Sequence, residues 1–349
     1  MNGGTVARAG ARGASSVASR VASGRGPLIV VAAVLLFAVG ALAPAHFASE
    51  FVLRIGVGGL LLGMLALSVA FLMSEAGLVA LGAASVYGGA GYLFAIAMSE
   101  WDLTPTAALF AAFVIVILYS TILGAIIVRA NPLAFMMLTL AAGEMVSHGV
   151  MLEGLHDYTS GADGLVVNFQ GAIFGMQAAD FANPTSFWPV TWSVAWILGL
   201  ATYAARRSRF GAVLRAVREN EERMRFSGFG TYLPRLAAFV FVNAIACICG
   251  LLHVLNSGFV SPESLGLSVS TNALVAALIG GVASSTGPIV GGVIYAFAQD
   301  QFGARGLTQL LTGVAVVVFI VVLPRGVVGG LIDAARRRTF LAPPRDEAD

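Results

Sequence analysis

Long apolar runs separated by short polar segments make up most of this chain of 349 residues. A helix that spans a membrane needs about 20 apolar residues. Most of the runs approach that length, whereas 271–302 cannot be divided into two full-length spans. The pattern predicts an all-α fold, a polytopic helical membrane bundle of about ten transmembrane segments. The runs lie at about 27–44, 53–73, 77–98, 106–128, 132–152, 188–204, 236–256, 271–284, 287–302 and 307–323.

Composition supports the same class of protein. Hydrophobic residues make up 58% of the chain and charged residues 11%, whereas about a quarter of the residues in soluble globular domains are charged. So little polar surface cannot cover a water-soluble globule of this length, and that class is excluded.

Arginine sets the predicted topology, because all twenty Lys or Arg residues are Arg. They concentrate in three segments that the positive-inside rule places in the cytoplasm. Six crossings followed by four satisfy this rule, and the acidic stretch at about 153–187 then lies outside. The predicted domains are a disordered Arg-rich cytoplasmic tail (1–26), a first transmembrane half (27–204), a cytoplasmic coupling loop (205–235), a second transmembrane half (236–324) and a cytoplasmic C-terminal tail (325–349).

The N-terminal apolar run admits a second interpretation. Residues 41–43 resemble the cleavage site of a signal peptide. Pro44 follows directly and disfavours cleavage, so we expect an uncleaved first span.

The absence of lysine excludes two kinds of chemistry. A phosphate-binding P-loop needs its Lys, and Schiff-base catalysis needs a Lys amine, so any ATP hydrolysis would belong to a partner. The four His residues show no metal spacing, and the charge pattern does not indicate nucleic acid binding. We therefore expect neither a catalytic site nor a metal site.

Two Gly-rich segments, 77–92 and 280–295, occupy corresponding places in the two halves. Each runs from apolar through small polar residues to glycines and then Tyr. Such interruptions are typical of broken helices that line a pathway, but tight helix packing through small residues is the alternative. The candidate pathway residues in them are Gly82, Ser85, Gly88, Ser284, Ser285, Gly287 and Pro288.

The arginine-rich loop carries an amphipathic pattern. Phe210, Leu214 and Val217 form one apolar stripe. Four i,i+4 ion pairs support a helix: Arg215/Glu219, Arg218/Glu222, Glu219/Arg223 and Glu221/Arg225. Anionic lipid headgroups could hold such a helix, but the interleaved acidic residues favour a groove on a partner protein.

Polar residues also occur inside and between the apolar runs. Glu144 and His148 share one helix face, and an ionisable group in a membrane should face protein or water. Glu144 is therefore a candidate for a translocation route, with interhelical hydrogen bonding as the alternative, and the polar residue Asn272 is a further candidate for the route. The external loop with Thr159, Gly161, Asp163 and Gly164 could contact a partner or act as a gate, or be a solvated turn.

Six motifs in order resemble LivM-type permeases of branched-chain amino acid ABC importers. They span about 139–326, and the Gly-rich stretch at 77–92 extends the likeness. The motifs are Thr139–Met145, Thr159–Leu165, Ser208–Glu221, Gly258–Ser264, Gly280–Pro288 and Pro324–Gly326.

The resemblance implies a multi-pass permease subunit in the bacterial inner membrane, with both termini in the cytoplasm. Its partners would be a second, LivH-like permease, two cytoplasmic ATPases that hold ATP and magnesium, and an extracytoplasmic solute-binding protein, all with membrane lipid around the bundle. The chain itself would hold no cofactor and would not be an enzyme. Coupling to the ATPases is expected from Phe210, Leu214, Arg215, Val217, Arg218, Glu219, Asn220 and Glu221.

The solute expected from the resemblance is a branched-chain or related amino acid. Departures from the family pattern near the presumed route, such as Ala142–Gly143 and Ser284–Thr286, leave urea and small organic acids open. An ion-coupled secondary transporter is the alternative function, because its repeats and broken helices would look similar. Glu144 is its best candidate for a coupling residue.

Overall fold

The computed structural model describes residues 37–44, 48–167, 171–173 and 175–303, with positions 313, 326, 329 and 330. The chain divides into two units, Met1–Ala48 and Ser49–Asp349. The first unit contains a helix over residues 37–44. The predicted N-terminal tail lies outside the described residues, as do most of the C-terminal tail and most of the apolar runs at 27–44 and 307–323.

Eight helices of 14 residues or more lie in the described part of the second unit. Their positions confirm the helices predicted from the apolar runs between residues 53 and 302. The largest difference is at α2, which begins six residues after the start of its apolar run at 77. They are α1 (Glu50–Phe71), α2 (Ala83–Ser99), α3 (Pro105–Ile127), α4 (Pro132–Val150), α7 (Pro184–Arg207), α10 (Tyr232–Ser257), α11 (Leu267–Gly280) and α12 (Gly287–Gly303). Four short helices complete the set: α5 (His156–Thr159), α6 (Ala178–Ala182), α8 (Arg209–Glu219) and α9 (Glu221–Phe226).

Among the residues that the structure describes, four helical segments are long and apolar enough to cross a membrane. They are α3, α4, α10, and α1 together with the π-helical turn Leu72–Ala76 that continues it. The shorter helices α2 and α11 are also apolar. A helical membrane protein is therefore confirmed, and the number of about ten spans stays a prediction.

Helix α1 forms the centre of the bundle and packs against α7, α10, α11 and α12. In the most apolar 18 residues of Glu50–Ala76, 83% of the residues are buried, whereas the corresponding shares are 28% in α3 and 22% in α4. Small residues permit the closest approach. A Cβ on Gly292 would lie 2.3 Å from the Cα of Gly63, so α1 and α12 touch backbone to backbone, as packed membrane helices do.

Each of the two Gly-rich segments contains a non-helical stretch, at 77–82 and at 281–286, which we call the first and the second interruption. The first interruption begins at Gly77, with φ +68°, and the second at Gly281, with φ +99°. At the second, Ser284 Oγ accepts a hydrogen bond from the Gly287 amide at 2.9 Å and so satisfies one amide at the start of α12. That these segments line a pathway stays a prediction.

The all-α prediction misses two short antiparallel β ladders. Strand β1 (Leu165–Val166) pairs with β4 (Phe259–Val260), and β2 (Ala172–Ile173) pairs with β3 (Met176–Gln177). The strands are two residues long, too short for an alternating pattern to reveal them in the sequence. The β1–β4 ladder fastens the 153–183 loop to the end of α10.

Candidate functional site

The arginine-rich loop folds as two helices rather than the single helix predicted for it. Asn220 lies between α8 and α9 in extended conformation, with φ −159° and ψ 97°, and its side chain accepts a hydrogen bond from the Arg223 amide at 2.8 Å. Asn competes with helical hydrogen bonding and favours the N-cap position. The break therefore comes from Asn220 itself, one of the eight residues that were expected to take part in coupling.

The apolar stripe of α8 faces the chain's own core. Leu214 is fully buried and Val217 is 2% exposed, while Phe210 is partly buried against the same cluster as Leu214. The role expected for Leu214 and Val217 in a partner's groove is therefore not available to them. The reason is that the stripe already covers Phe71, Leu78 and other buried side chains. Ala212 and Glu219 are exposed on the opposite face.

Only one of the four predicted i,i+4 pairs is an ion pair in the described part of the chain. Arg225 Nη2 lies 2.9 Å from Glu221 Oε1. The same carboxylate also binds the buried Arg235 at 2.8 Å and accepts a hydrogen bond from the Thr231 hydroxyl at 3.2 Å. Glu221 thus holds α9 to the start of α10, and its carboxylate is already engaged within the chain.

Two arginines of α8, Arg215 and Arg218, contact the end of α1 and its π-helical turn instead of acidic residues along their own helix. Arg215 Nη1 donates to Glu75 Oε2 at 2.5 Å and to the Arg206 carbonyl at 2.9 Å. Arg218 donates to the Ser74 carbonyl. Ser74 and Glu75 belong to the π-helical turn directly before the first interruption. Helix α8 is therefore attached by two arginines to the end of α1.

Glycine makes the Arg218 contact possible. Gly77 has a left-handed backbone, and a Cβ on it would lie 2.8 Å from Cγ of Arg218. The stem of Arg218 thus crosses directly over the residue at which α1 and its turn end.

Arg206 extends the cluster to the second interruption. It is 8% exposed, and its guanidinium donates to the Ala283 carbonyl at 2.7 Å and the Val282 carbonyl at 3.1 Å. Its Nε lies 3.8 Å from Glu75 Oε1. Burial lowers the pKa of Arg206, whereas Glu75 raises it and Arg215 lowers it further. An arginine in such a place stays protonated and pairs with Glu75.

One ionic cluster therefore joins α8 to both interruptions. We call Glu75, Arg206 and Arg215 the ion cluster. Reasoning from the sequence missed it, because Glu75 lies 140 positions before Arg215. A signal was present: Glu75 ends an apolar run of more than 20 residues that contains no other acidic residue, and a buried carboxylate requires a partner.

A cavity of about 640 Å³ adjoins the ion cluster. Beyond the cluster itself, its walls combine cationic, hydroxyl and small side chains. These are Tyr203, Arg207, Ala283, Ser284, Ser285 and Thr286.

The predicted pathway residues do not converge on this cavity. Gly82 and Ser85 line a second, narrow cavity with Thr139 and Asn243, whereas Ser284 and Ser285 line the first.

Close packing accounts for all three of the glycines predicted to line the pathway. A Cβ on Gly82 would lie 2.2 Å from the Thr139 carbonyl oxygen, and one on Gly88 would lie 2.9 Å from the Leu265 amide nitrogen. Gly287 approaches Gly280 in the same way, directly before Pro288. Asn272 accepts a hydrogen bond from the Tyr295 hydroxyl at 2.8 Å.

Glu144 and His148 lie on the exposed face of α4. Their side chains are 42% and 76% exposed, and His148 Nε2 is 3.7 Å from Glu144 Oε2. Around them, Met137 and Met145 are also exposed. An ionisable pair in an apolar helix should not face lipid, so this face needs protein or water beside it.

The external loop is ordered by its own residues. Thr159 is buried, and its hydroxyl donates to the Val150 and Leu155 carbonyls at 2.7 and 2.9 Å. Gly161 has a positive φ and its amide donates to Thr159. Gly164, also with positive φ, leaves no room for a Cβ beside the Val260 carbonyl. Asp163 is exposed, and a contact with an external partner stays a prediction.

Among the described residues, no group of three or more His, Cys, Asp or Glu could hold a metal ion. Cys247 and Cys249 are buried free cysteines.

Comparison with known proteins gives related sequences but no related structure. The chain is 28% identical over 166 residues to the high-affinity branched-chain amino acid transport system permease protein LivH of Escherichia coli (strain K12), which covers 46% of this chain and 50% of LivH. It is 24% identical over 289 residues to LivM of the same strain, covering 75% of this chain and 66% of LivM. The chain thus spans about half the length of LivH, and no solved structure matches it.

The sequence profile of one protein family covers most of the chain. That family is described as "Branched-chain amino acid transport system / permease component", and the match runs over residues 51–323. The match includes the ion cluster, α8 and both interruptions. Since it extends over well more than half of the residues, the chain belongs to this family of permease components.

Proposed function

We propose that this chain is the membrane-spanning permease subunit of an ABC importer and forms part of the translocation pathway for a small polar solute. The observation that carries the proposal is the ion cluster. It connects α8, on the predicted cytoplasmic side, to the ends of both helix interruptions through Glu75 and the Val282 and Ala283 carbonyls. A displacement of α8 would thus reach both interruptions at once.

Separate ATPase subunits supply the displacement in this proposal. Differential affinity of ATP for two states of the assembly would drive the change. The outward face of α8, with Ala212 and Glu219, is the contact surface for an ATPase, because the inward face is buried. Phe226, at the end of α9, is 90% exposed and is a further candidate for this contact.

A second permease subunit would cover the exposed face of α4. Support comes from Glu144 and His148, which should not face lipid, and from the low burial of α4. The route would then run along this face and the Gly-rich interruptions, in a bundle of about ten spans. Asp163 and the ordered external loop would receive a solute-binding protein.

A LivM-type subunit for a branched-chain or related amino acid fits the relatives best. Both LivH and LivM are named as permeases for branched-chain amino acids. The polar run Ser284–Thr286 beside the cavity keeps urea and small organic acids as further candidates. Location in the inner membrane with cytoplasmic termini follows from the same proposal.

An ion-coupled secondary transporter is the second candidate, and Glu144 is the observation that favours it. A carboxylate exposed on a membrane-spanning helix is what proton or sodium coupling requires. Vesicles that contain only this chain separate the two functions. Uphill uptake without ATPase subunits, lost in Glu144→Gln, would establish the second candidate and exclude the importer.

A charge reversal tests the proposed ATPase contact. Glu219→Arg changes an exposed residue of α8 that makes no ion pair in the described part of the chain. We expect reduced co-purification of the ATPase subunits and a comparable loss of solute uptake in reconstituted vesicles. A mismatched charge at an interface costs up to several kcal/mol.

Glu153→Arg is the matched control, because Glu153 is exposed on the predicted external side. It should leave ATPase co-purification unchanged. If Glu219→Arg retains normal co-purification and uptake, α8 is not the contact surface.

A further inference from the structure

The cavity beside the ion cluster has an excess of positive charge. Three arginines and one glutamate line it, and the hydroxyls of Ser284, Ser285 and Thr286 lie in its walls. Glutamate neutralises only part of this charge, so the site favours an anion. Guanidinium and hydroxyl groups together are the usual donors to phosphate oxygens.

The cavity walls are held in place without a ligand. Arg206 is fixed by two carbonyls of the second interruption, and Arg215 by Glu75. Arg207 is different: its guanidinium stacks over the Tyr203 ring at 5.0 Å and makes no ion pair with any residue that the structure describes. Arg207 is therefore the cation that remains available to a bound anion.

An apolar helix face leads from the bundle surface to this cavity. Ile197, Leu200 and Tyr203 are 63%, 57% and 47% exposed, and they follow one another at spacings of three along α7. Arg207 continues the face one turn beyond Tyr203. Tyr and Arg at the end of an apolar face are typical of the boundary between hydrocarbon and headgroups.

We propose that this cavity binds the phosphate group of an anionic phospholipid, with its acyl chains along Ile197 and Leu200. A phosphate oxyanion is the chemistry that the arginines and hydroxyls recognise. A lipid is the source, because the apolar face is continuous with the cavity mouth. Basic pockets between membrane helices on the cytoplasmic side bind such headgroups. The site depends on membrane insertion alone, whatever solute is transported.

The test compares lipid retention by the purified chain in detergent, measured by native mass spectrometry. The probes are dioleoylphosphatidylglycerol, dioleoylphosphatidylcholine and inorganic phosphate. The variants are Arg207→Gln and the control Arg209→Gln, which removes an exposed arginine that does not line the cavity. We expect the anionic lipid to be retained preferentially by the unmodified chain and by Arg209→Gln, and about fivefold more weakly by Arg207→Gln.

Three outcomes would overturn the proposal. Equal retention of the anionic lipid by the two variants would remove Arg207 from the site. Equal retention of both lipids by the unmodified chain would show that the cavity does not select an anionic headgroup, and this result does not depend on whether the variants fold. Complete displacement of the anionic lipid by equimolar inorganic phosphate would assign the cavity to a free phosphate and exclude the lipid.

Discussion

Two groups of ionisable side chains in this bundle differ in how far they are buried. In the ion cluster, the side chains of Glu75 and Arg206 are 7% and 9% exposed, and Arg215 approaches Glu75 to 2.5 Å. On α4, Glu144 and His148 are 42% and 76% exposed and 3.7 Å apart. The first grouping is enclosed by its own chain, whereas the second lies on a surface.

The difference in burial indicates that the ion cluster stabilises the chain itself, whereas Glu144 and His148 belong to a contact surface. Removing one partner from a buried ion pair leaves an uncompensated charge, so we expect the intact ion cluster to stabilise the fold. An exposed pair adds little to stability. Since a membrane-spanning helix seldom turns such a pair to lipid, Glu144 and His148 mark a surface whose function depends on another chain or on water.

The largest expected effect is at Glu75. Glu75→Gln removes the only acidic member of the ion cluster and leaves Arg206 buried without a counter-charge, so we expect a loss of about 3–5 kcal/mol in the free energy of unfolding. Denaturant unfolding of the purified chain in detergent measures it. Glu153→Gln, at an exposed site, should stay within about 0.5 kcal/mol of the unmodified chain. An equally small change for Glu75→Gln would show that the cluster does not stabilise the fold.

A smaller effect is expected at Arg215, which is 45% exposed and therefore partly screened. Arg215→Gln leaves Glu75 paired with Arg206. We expect the free energy of unfolding to fall by about 1–2 kcal/mol, which is less than the largest values for hydrogen bonds to charged groups. The double variant with Glu75→Gln gives the coupling energy. A coupling energy near zero would mean that the two side chains do not interact in solution.

The smallest effect on stability is expected at Glu144. Glu144→Gln breaks only an exposed i,i+4 contact and should cost less than about 0.5 kcal/mol in the same unfolding measurement. In reconstituted vesicles with the proposed partners, however, the same variant should reduce uptake. If it destabilises the isolated chain as strongly as Glu75→Gln, α4 is buried by its own chain and the contrast between the two groupings fails.

Much of the helical framework was predictable from the sequence. Apolar runs located every long helix between residues 50 and 303, because each run had to satisfy its backbone hydrogen bonds internally in a membrane. The apolar stripe of α8 was also correctly identified. What it packs against was not, since a stripe specifies that a face is buried but not which surface buries it.

The sequence by itself determined the class of protein, the helices and the segregation of arginine, because these depend on local composition and on the cost of placing polar groups in lipid. Only the tertiary structure decided that Glu75, Arg206 and Arg215 meet, that Glu221 binds Arg235, and that Glu144 stays on a surface. These contacts join residues up to 140 positions apart. Ionic pairing over such separations depends on how the helices pack, and no periodicity along the chain encodes it.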